Sequence, residues 1–280
     1  MKHSEGRFTG TGERSIYFQC WEPEVALKAV LLVAHGAGEH SGRYRHFAQH
    51  FTGQGYAVAA LDHNGHGNSA GTPGYVGKFD YYLSDLAVLQ QKISARFAGV
   101  PIFLLGHSMG GLIASLYLLR HQAAFAGGIL SGPAIKTELA PGKLQLGLLG
   151  LAAVIAPRLG ILKLDPAGVS RDPEIVRLYV EDPLVFHGKM SARMLHELFA
   201  GMTAIQAEAG RITLPMLIMH GSADSMTSPE GSRFLHREIG SADKTLRIYP
   251  GLFHEIFNEP EHAEVYAEIV RWCDARLTGS

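Results

Sequence analysis

Gly106-His107-Ser108-Met109-Gly110 stands between an apolar run, residues 102–105, and a helical pattern, residues 112–120. This G-x-S-x-G pentapeptide, in a strand–turn–helix setting, predicts a serine nucleophile on a strained turn. Such a turn needs neighbours without side chains, so sterics explain the two glycines. The amides at the start of the following helix can stabilise a developing oxyanion. A glycine-rich turn with a surface serine is the alternative, and the partner residues described below disfavour it.

The composition excludes several classes of protein. The 280 residues carry a formal net charge of −1, which argues against nucleic acid as a partner because phosphate binding needs a basic face. Cys20 and Cys273 lie far apart and match neither a disulfide framework nor a metal site, so a reducing, cytoplasmic setting is expected. Residues 1–12 lack the apolar core of a signal peptide. The longest apolar segment, residues 144–156, is shorter than the roughly 20 residues of a transmembrane helix.

Short apolar runs alternate with helical patterns along most of the chain. The runs are apolar on both faces, as in the buried strands of a parallel sheet. They cover residues 29–34, 56–61, 101–105, 126–130, 215–220 and 245–249, and residues 6–21 suggest a leading hairpin strand. The helical patterns cover residues 44–53, 79–97, 109–121, 229–239 and 261–276. This alternation predicts an α/β fold with a mostly parallel central sheet flanked by helices.

One region breaks the alternation. Residues 133–210 show helical apolar patterning, interrupted by prolines, and no convincing strand. An all-helical segment between two strands cannot belong to the sheet, so we expect a helical cap, or lid, inserted after the sixth strand. The predicted core then consists of residues 1–132 and 211–280.

Two residues that follow later strands complete a catalytic pattern. A serine hydroxyl is a weak nucleophile that needs a base, and the base needs an orienting carboxylate. In hydrolases with this strand–turn–helix element the chain order is Ser, then Asp or Glu, then His. Asp224 follows the predicted strand 215–220 and His254 follows 245–249, at strand ends where ligand sites of parallel sheets form. Ser108, Asp224 and His254 are therefore the predicted catalytic residues.

The oxyanion of such a reaction needs two backbone amides. Met109, the residue after the nucleophile, supplies one, and the second is expected from the loop after an early strand. That loop reads His35-Gly36-Ala37-Gly38, and Ala37 is the predicted donor. A plain glycine turn is the alternative for this loop. Its glycines do not have the spacing of a dinucleotide-binding motif.

Several blocks of the sequence carry a resemblance to a known family. His35 to Tyr44, Asp62 to Ser69 and Leu104 to Gly111, together with shorter matches at 221–224 and 243–246, resemble the monoglyceride lipase family of α/β-hydrolases. The likeness covers nearly the whole chain, and the block at 35–44 is much more specific than the serine pentapeptide. The resemblance implies hydrolysis of monoacylglycerols, with a helical cap over an apolar acyl tunnel.

The resemblance also implies polar contacts to the glycerol end of the substrate, for which Glu39, Arg43 and the cap residue Tyr179 are candidates. For Glu39 and Arg43 the alternative is a structural ion pair that fixes the loop. Mammalian members carry a second histidine three residues after the catalytic one, where this chain has Phe257. This departure leaves lysophospholipids and simple esters open as substrates.

The sequence therefore predicts a serine carboxylester hydrolase with monoacylglycerol as leading substrate, and lysophospholipase or general medium-chain carboxylesterase as alternatives. A non-catalytic ligand-binding protein on the same fold is the alternative of another class, because fold alone never proves activity. Water deacylates the enzyme, so neither a cofactor nor a metal is expected. The expected partner is a lipid-like ester. For the apolar residues 144–156 two interpretations are open: they pack onto the rest of the cap, or part of their surface lines the acyl tunnel and part makes a transient contact with a membrane surface.

Overall fold

The structure, a computed structural model, describes residues 1–137 and 142–277. Residues 138–141 of the predicted cap and 278–280 of the predicted core lie outside the described residues. The strands are β1 (Lys2–Thr9), β2 (Ser15–Glu22), β3 (Ala29–Ala34), β4 (Tyr56–Leu61), β5 (Ile102–His107), β6 (Gly127–Ser131), β7 (Gly160–Lys163), β8 (Lys189–Ser191), β9 (Met216–Gly221) and β10 (Lys244–Tyr249). The helices are α1 (Arg45–Gly53), α2 (Asp80–Arg96), α3 (Met109–His121), α4 (Lys143–Ile155), α5 (Pro173–Glu181), α6 (Ala192–Glu208), α7 (Pro229–Glu238) and α8 (His262–Leu277).

Eight of these strands form one sheet in the order β1-β2-β4-β3-β5-β6-β9-β10. The six strands from β4 to β10 in that order run parallel, whereas β2 is antiparallel to β4 and β1 is antiparallel to β2. The predicted mostly parallel sheet is confirmed. The single hairpin strand predicted over residues 6–21 is in fact the two strands β1 and β2, joined by a turn around Gly12, which has a φ of 66°.

Helices cover both faces of the sheet because its central strands are apolar on both faces. Along β3, Val30 and Leu32 pack towards the face covered by α2 and α3, while Leu31 and Val33 pack towards α1 and α8. Successive side chains of a strand point to opposite faces, so an uninterrupted apolar run requires cover on each side. The parallel arrangement brings the C-terminal ends of β3, β5, β9 and β10 to one edge of the sheet, where ligand sites form.

The segment between β6 and β9 differs from the sequence-based prediction in one respect. The sequence predicts no strand there, but β7 and β8 pair in an antiparallel two-stranded sheet, with Leu162 opposite Met190. Strands of four and three residues are too short for an apolar alternation to be recognisable. Helix α6 of this segment packs on α3, where a Cβ at Gly201 would lie 3.2 Å from Leu112. The division of the chain into core and cap remains a prediction.

Candidate active site

Ser108 occupies the turn between β5 and α3. Its backbone has a φ of 54° and a ψ of −120°, a strained conformation for a residue with a side chain. A Cβ at Gly106 would overlap the carbonyl oxygen of Gly110, and one at Gly110 would overlap that of Ala34. Close backbone approach, rather than unusual dihedral angles, is therefore what requires the two glycines of the pentapeptide.

Asp224 and His254 meet at the same edge of the sheet. Asp224 follows β9, His254 follows β10, and both side chains are buried. The distance between His254 Nδ1 and Asp224 Oδ2 is 2.7 Å. Because a carboxylate only accepts, Nδ1 carries the proton and Nε2 is left to accept one. His254 and Ser108 line one cavity, so the structure brings the three predicted catalytic residues together.

The Asp224 carboxylate is held by several donors. Oδ1 accepts from the backbone N–H groups of Met226, at 2.8 Å, and Thr227, at 3.0 Å. Oδ2 lies 2.9 Å from Thr227 Oγ1 and 3.0 Å from His220 Nε2. Burial would raise the pKa of Asp224, but the charge of His254 and the hydrogen bonds from both histidines outweigh it and hold the pKa well below its usual range. Asp224 is therefore an anion at any working pH.

The pKa of His254 is shifted in the direction that a general base needs. Burial lowers this pKa, but the charge of Asp224 and its hydrogen bond raise it more, so the pKa lies above the ordinary value of 6.5. The ring of His107 lies 4.7 Å from that of His254 between centroids. Burial, and then the charge of His254, lower the pKa of His107 to about 4, so His107 stays neutral beside its neighbour.

The two predicted oxyanion donors also border the cavity. Ala37 lies in the loop after β3, and Met109 is the first residue of α3, so its N–H has no acceptor within the helix. The loop after β3 lies directly against the nucleophile, since a Cβ at Gly36 would be 3.1 Å from Ser108 Cβ. This placement is what an oxyanion site needs.

Glu39 and Arg43 belong to a buried network of ion pairs. The Glu39 carboxylate accepts from Gly36 N at 2.6 Å, from the Tyr44 hydroxyl at 3.0 Å and from Arg43 Nη1 at 3.0 Å. Arg43 also forms a two-pronged pair with Glu255, at 2.6 and 2.7 Å. Burial would raise the pKa of Glu39, but the charges of Arg43, His107 and His35 together with the Gly36 hydrogen bond outweigh it and lower the pKa to about 2. The network joins the loop after β3 to the loop that carries His254.

Tyr179 on α5 lies beside this network. The guanidinium carbon of Arg43 is 4.7 Å from the centre of its ring, a cation–π contact. A Cβ at Gly38 would lie 3.7 Å from the Tyr179 hydroxyl oxygen. The structure thus brings the three candidate headgroup residues together, yet none of them borders the cavity at Ser108.

That cavity has an apolar wall. Most of the wall comes from the segment between β6 and β9, and the side chains that form it are Leu162, Leu164, Met190, Leu195, Leu198, Phe199 and Met202. Met226, two residues after Asp224, completes it. No α4 side chain borders this cavity in the described part of the chain, contrary to the expectation that α4 contributes to an acyl tunnel.

Sequence reasoning missed three residues of the site. His220 and Thr227 contact the Asp224 carboxylate, and Glu255 pairs with Arg43. The available signals were weak: a histidine within an otherwise apolar strand, and a glutamate directly after the predicted catalytic histidine. Glu255 is 212 positions from its partner, so no local pattern could connect them.

A serine on a strand-to-helix turn, with an aspartate and a histidine beyond later parallel strands, defines a serine hydrolase of the α/β-hydrolase class. Residues 26–261 match the family described as serine aminopeptidase, S33. The chain is 36% identical over 274 residues to a monoacylglycerol lipase of Mycolicibacterium smegmatis, with 98% of each chain covered. It is 34% identical over 267 residues to the monoglyceride lipase of Homo sapiens, covering 93% of this chain and 87% of that one.

A solved structure gives the same result. The monoacylglycerol lipase of Paleococcus ferrophilus is 32% identical to this chain, has a TM-score of 0.80 and is covered over its full length, as is this chain. The chain belongs to the monoglyceride lipase family of serine hydrolases.

Proposed function

We propose that the protein hydrolyses monoacylglycerols to a fatty acid and glycerol, with Ser108, His254 and Asp224 as its catalytic triad. The observation that carries this proposal is the apolar cavity that Ser108 and His254 both line, with Asp224 Oδ2 2.7 Å from His254 Nδ1. An ester with a long apolar acyl chain fits such a wall. The names of the relatives at 34% and 36% identity support the same substrate class.

In the proposed reaction Ser108 Oγ attacks the ester carbonyl carbon and passes its proton to His254 Nε2. Asp224 stabilises the imidazolium that forms. The N–H groups of Ala37 and Met109 hold the oxyanion of the tetrahedral intermediate. The intermediate collapses, the glycerol oxygen leaves with the proton from His254, and an acyl-serine remains. Water then repeats the sequence and releases the fatty acid.

We assign Glu39, Arg43 and Tyr179 to support of the loop after β3 rather than to the glycerol headgroup. All oxygens of the Glu39 carboxylate have protein donors, and Arg43 is engaged by two carboxylates. Phe257 supports this assignment, because its ring packs against Phe47 at 5.3 Å in the core. Lysophospholipids and medium-chain esters are therefore the runner-up substrates.

Residues 133–210 act in this proposal as a cap that encloses the acyl chain and touches a lipid surface. The exposed apolar side chains of α4 support such a contact. No described helix is long and apolar enough to cross a membrane. The buried thiols Cys20 and Cys273 fit a reducing, cytoplasmic location.

The proposal is tested with purified protein on monolauroylglycerol, lysophosphatidylcholine and ethyl laurate. Monolauroylglycerol should give the highest kcat/KM, and Ser108→Ala or His254→Ala should lower kcat by roughly 10⁴-fold or more without additivity, because the triad acts as a unit. A fluorophosphonate should label Ser108. Hydrolysis at near wild-type rate in Ser108→Ala would refute the triad, and a higher kcat/KM on lysophosphatidylcholine would refute the substrate.

Acyl-chain preference follows from the apolar wall. Each buried methylene contributes at most about 0.8 kcal/mol, so extending a chain from four to twelve carbons strengthens binding by up to roughly 6 kcal/mol before ordering costs. Lauroyl esters should therefore exceed butyryl esters in kcat/KM when both are assayed below the micelle threshold. A butyryl optimum would show that the wall does not hold the acyl chain.

A further inference from the structure

A second buried histidine contacts the Asp224 carboxylate. His220, near the C-terminal end of β9, is fully buried and places Nε2 3.0 Å from Asp224 Oδ2. His254 Nδ1 lies 2.7 Å from the same oxygen. One carboxylate oxygen therefore faces two imidazoles, which come from different elements of the fold.

The neighbours of His220 determine where its proton sits. Nε2 lies 3.2 Å from the carbonyl oxygen of Thr227 as well as 3.0 Å from Asp224 Oδ2. A carbonyl and a carboxylate can only accept, so Nε2 carries the proton. Nδ1 lies 2.7 Å from Ser232 Oγ on α7, whose hydroxyl donates to it in the neutral ring. His220 is thus fixed between α7 and the turn that follows β9, and its Nε2–H is shared between the Thr227 carbonyl oxygen and Asp224 Oδ2.

Thr227 does not replace this donor. Its hydroxyl has one proton, and two acceptors compete for that proton: the Gly132 carbonyl oxygen at 3.0 Å and Asp224 Oδ2 at 2.9 Å. The backbone N–H groups of Met226 and Thr227 both reach Oδ1 instead. The Thr227 hydroxyl proton can also rotate between its two acceptors, whereas the ring fixes the direction of the His220 N–H, so His220 is the side-chain donor of fixed direction that shares Oδ2 with His254.

We propose that His220 is a positioning residue of the catalytic site: it donates from Nε2 to the carboxylate oxygen that orients His254 and thereby limits how strongly that oxygen holds the His254 proton. The inference rests on the proposed triad. A donor that shares an acceptor fixes its orientation and competes for its charge. His220 acts only through Asp224 and contacts neither the substrate nor Ser108.

Other groups around His254 do not depend on His220. Burial lowers the pKa of His254, while the charges of Asp224, Glu255 and Glu39 raise it more. His107, which faces the ring from the end of β5, has its pKa lowered to about 4 by burial and by the charge of His254. A change in the His254 titration after substitution at 220 therefore reports on Asp224.

Two variants separate the donor from the bulk of the ring. His220→Leu fills the space without a donor, and His220→Gln keeps an N–H near the position of Nε2. In His220→Leu we expect kcat per active site, counted by fluorophosphonate labelling, to fall about ten- to a hundredfold, the loss that one hydrogen bond to a charged group represents. The acid limb of the kcat/KM profile should move to higher pH, because Asp224 no longer shares its charge. His220→Gln should restore most of kcat and the wild-type limb.

Thermal melting of each variant accompanies these measurements. An unchanged acid limb in His220→Leu, or a limb moved to lower pH, would overturn the inference, as would equal losses of kcat in the Leu and Gln variants. The proposed function is tested separately by Ser108→Ala. If Ser108→Ala is inactive and His220→Leu has wild-type kcat and pH profile, only the role of His220 is refuted. Hydrolysis surviving in Ser108→Ala refutes the function itself.

Discussion

Several charged side chains of this site are buried, so solvent does not screen their charges. Arg43 is the clearest case, because its guanidinium is buried between Glu39 and Glu255. Removing one member of a buried ion pair leaves an uncompensated charge, which costs far more than losing an exposed pair. Both carboxylates also touch functional loops, since Glu39 accepts from Gly36 N and Glu255 directly follows His254.

We predict that Arg43→Ala destabilises the protein by about 3–5 kcal/mol and lowers turnover of monolauroylglycerol and ethyl laurate equally. Part of the effect is pH-dependent. Because the pKa of Glu39 is lowered from 4.5 to about 2, its contribution to stability is present above about pH 4.5 and is lost as the pH falls towards 2. In Arg43→Ala the pH-dependent part of the stability should be smaller, because the largest of the charges that lower the pKa of Glu39 is gone; urea unfolding between pH 6 and 3 measures it.

Tyr179→Phe serves as the matched test of the headgroup alternative. It keeps the ring over Arg43 and removes only the hydroxyl. We expect nearly unchanged turnover of both esters. A loss confined to monolauroylglycerol, in this variant or in Arg43→Ala, would instead assign these residues to the glycerol end.

Among the helices and strands, α4 is distinctive because several of its large apolar side chains are exposed to solvent. Leu144, Leu148, Leu151, Val154 and Ile155 are between 56% and 78% exposed. Leu149, by contrast, is half-buried and packs against the main core. One interpretation of the sequence is that residues 144–156 simply pack onto the rest of the cap. The exposed α4 side chains do not pack in this way. An apolar helix surface of this kind favours insertion into a lipid interface.

We predict that Leu148→Ser combined with Leu151→Ser weakens liposome association by about tenfold or more, because burying an exposed leucine contributes about 1.5–3 kcal/mol at most. Turnover of long-chain esters in liposomes should fall with it, while soluble butyryl esters should be spared. Val25→Ser, at a position 58% exposed in the loop between β2 and β3, is the matched control and should leave association unchanged. Equal losses on both substrates would show that α4 supports the fold instead.

At the scale of the whole molecule, the segment between β6 and β9 is fastened to the loop that carries His254. Glu259 makes the central connection. Its buried carboxylate accepts from Phe253 N at 2.7 Å and pairs with Arg171 Nε at 3.1 Å. Arg171 also pairs with Glu261 at the surface. The position of His254 therefore depends on a contact with the segment between β6 and β9.

We predict that Glu259→Ala lowers the free energy of unfolding by about 3 kcal/mol, since it leaves buried donors unsatisfied, and also lowers kcat. Glu261→Ala is the matched control. Its carboxylate is exposed, so its loss should cost at most about 1 kcal/mol and leave kcat unchanged. Urea unfolding and active-site titration measure the two effects. If Glu259→Ala and Glu261→Ala have equal stability and equal kcat, Glu259 does not hold the His254 loop to the segment between β6 and β9.

Much of the fold follows from local pattern. The six parallel strands were located to within one or two residues because apolar runs between helical segments have one stable arrangement in water, a sheet covered on both faces. Helix α3 was predicted with its observed bounds, Met109–His121. The short strands β7 and β8 are not predictable in this way, because each is stabilised by pairing with the other and neither has an apolar periodicity of its own.

The candidate site also has one part that the sequence predicts and another that only the tertiary structure shows. The order of Ser108, Asp224 and His254 at successive strand ends is a property of the sequence, and a parallel sheet then brings those ends to one edge. Only the tertiary structure decided that His220 shares the Asp224 carboxylate, that Glu255 pairs with Arg43 and that α4 turns its leucines to solvent. Arg43 and Glu255 are 212 positions apart, and His220, although only four positions before Asp224, meets its carboxylate only because the chain turns after β9. Which donor a buried charge contacts depends on the packing of the whole chain rather than on a local pattern.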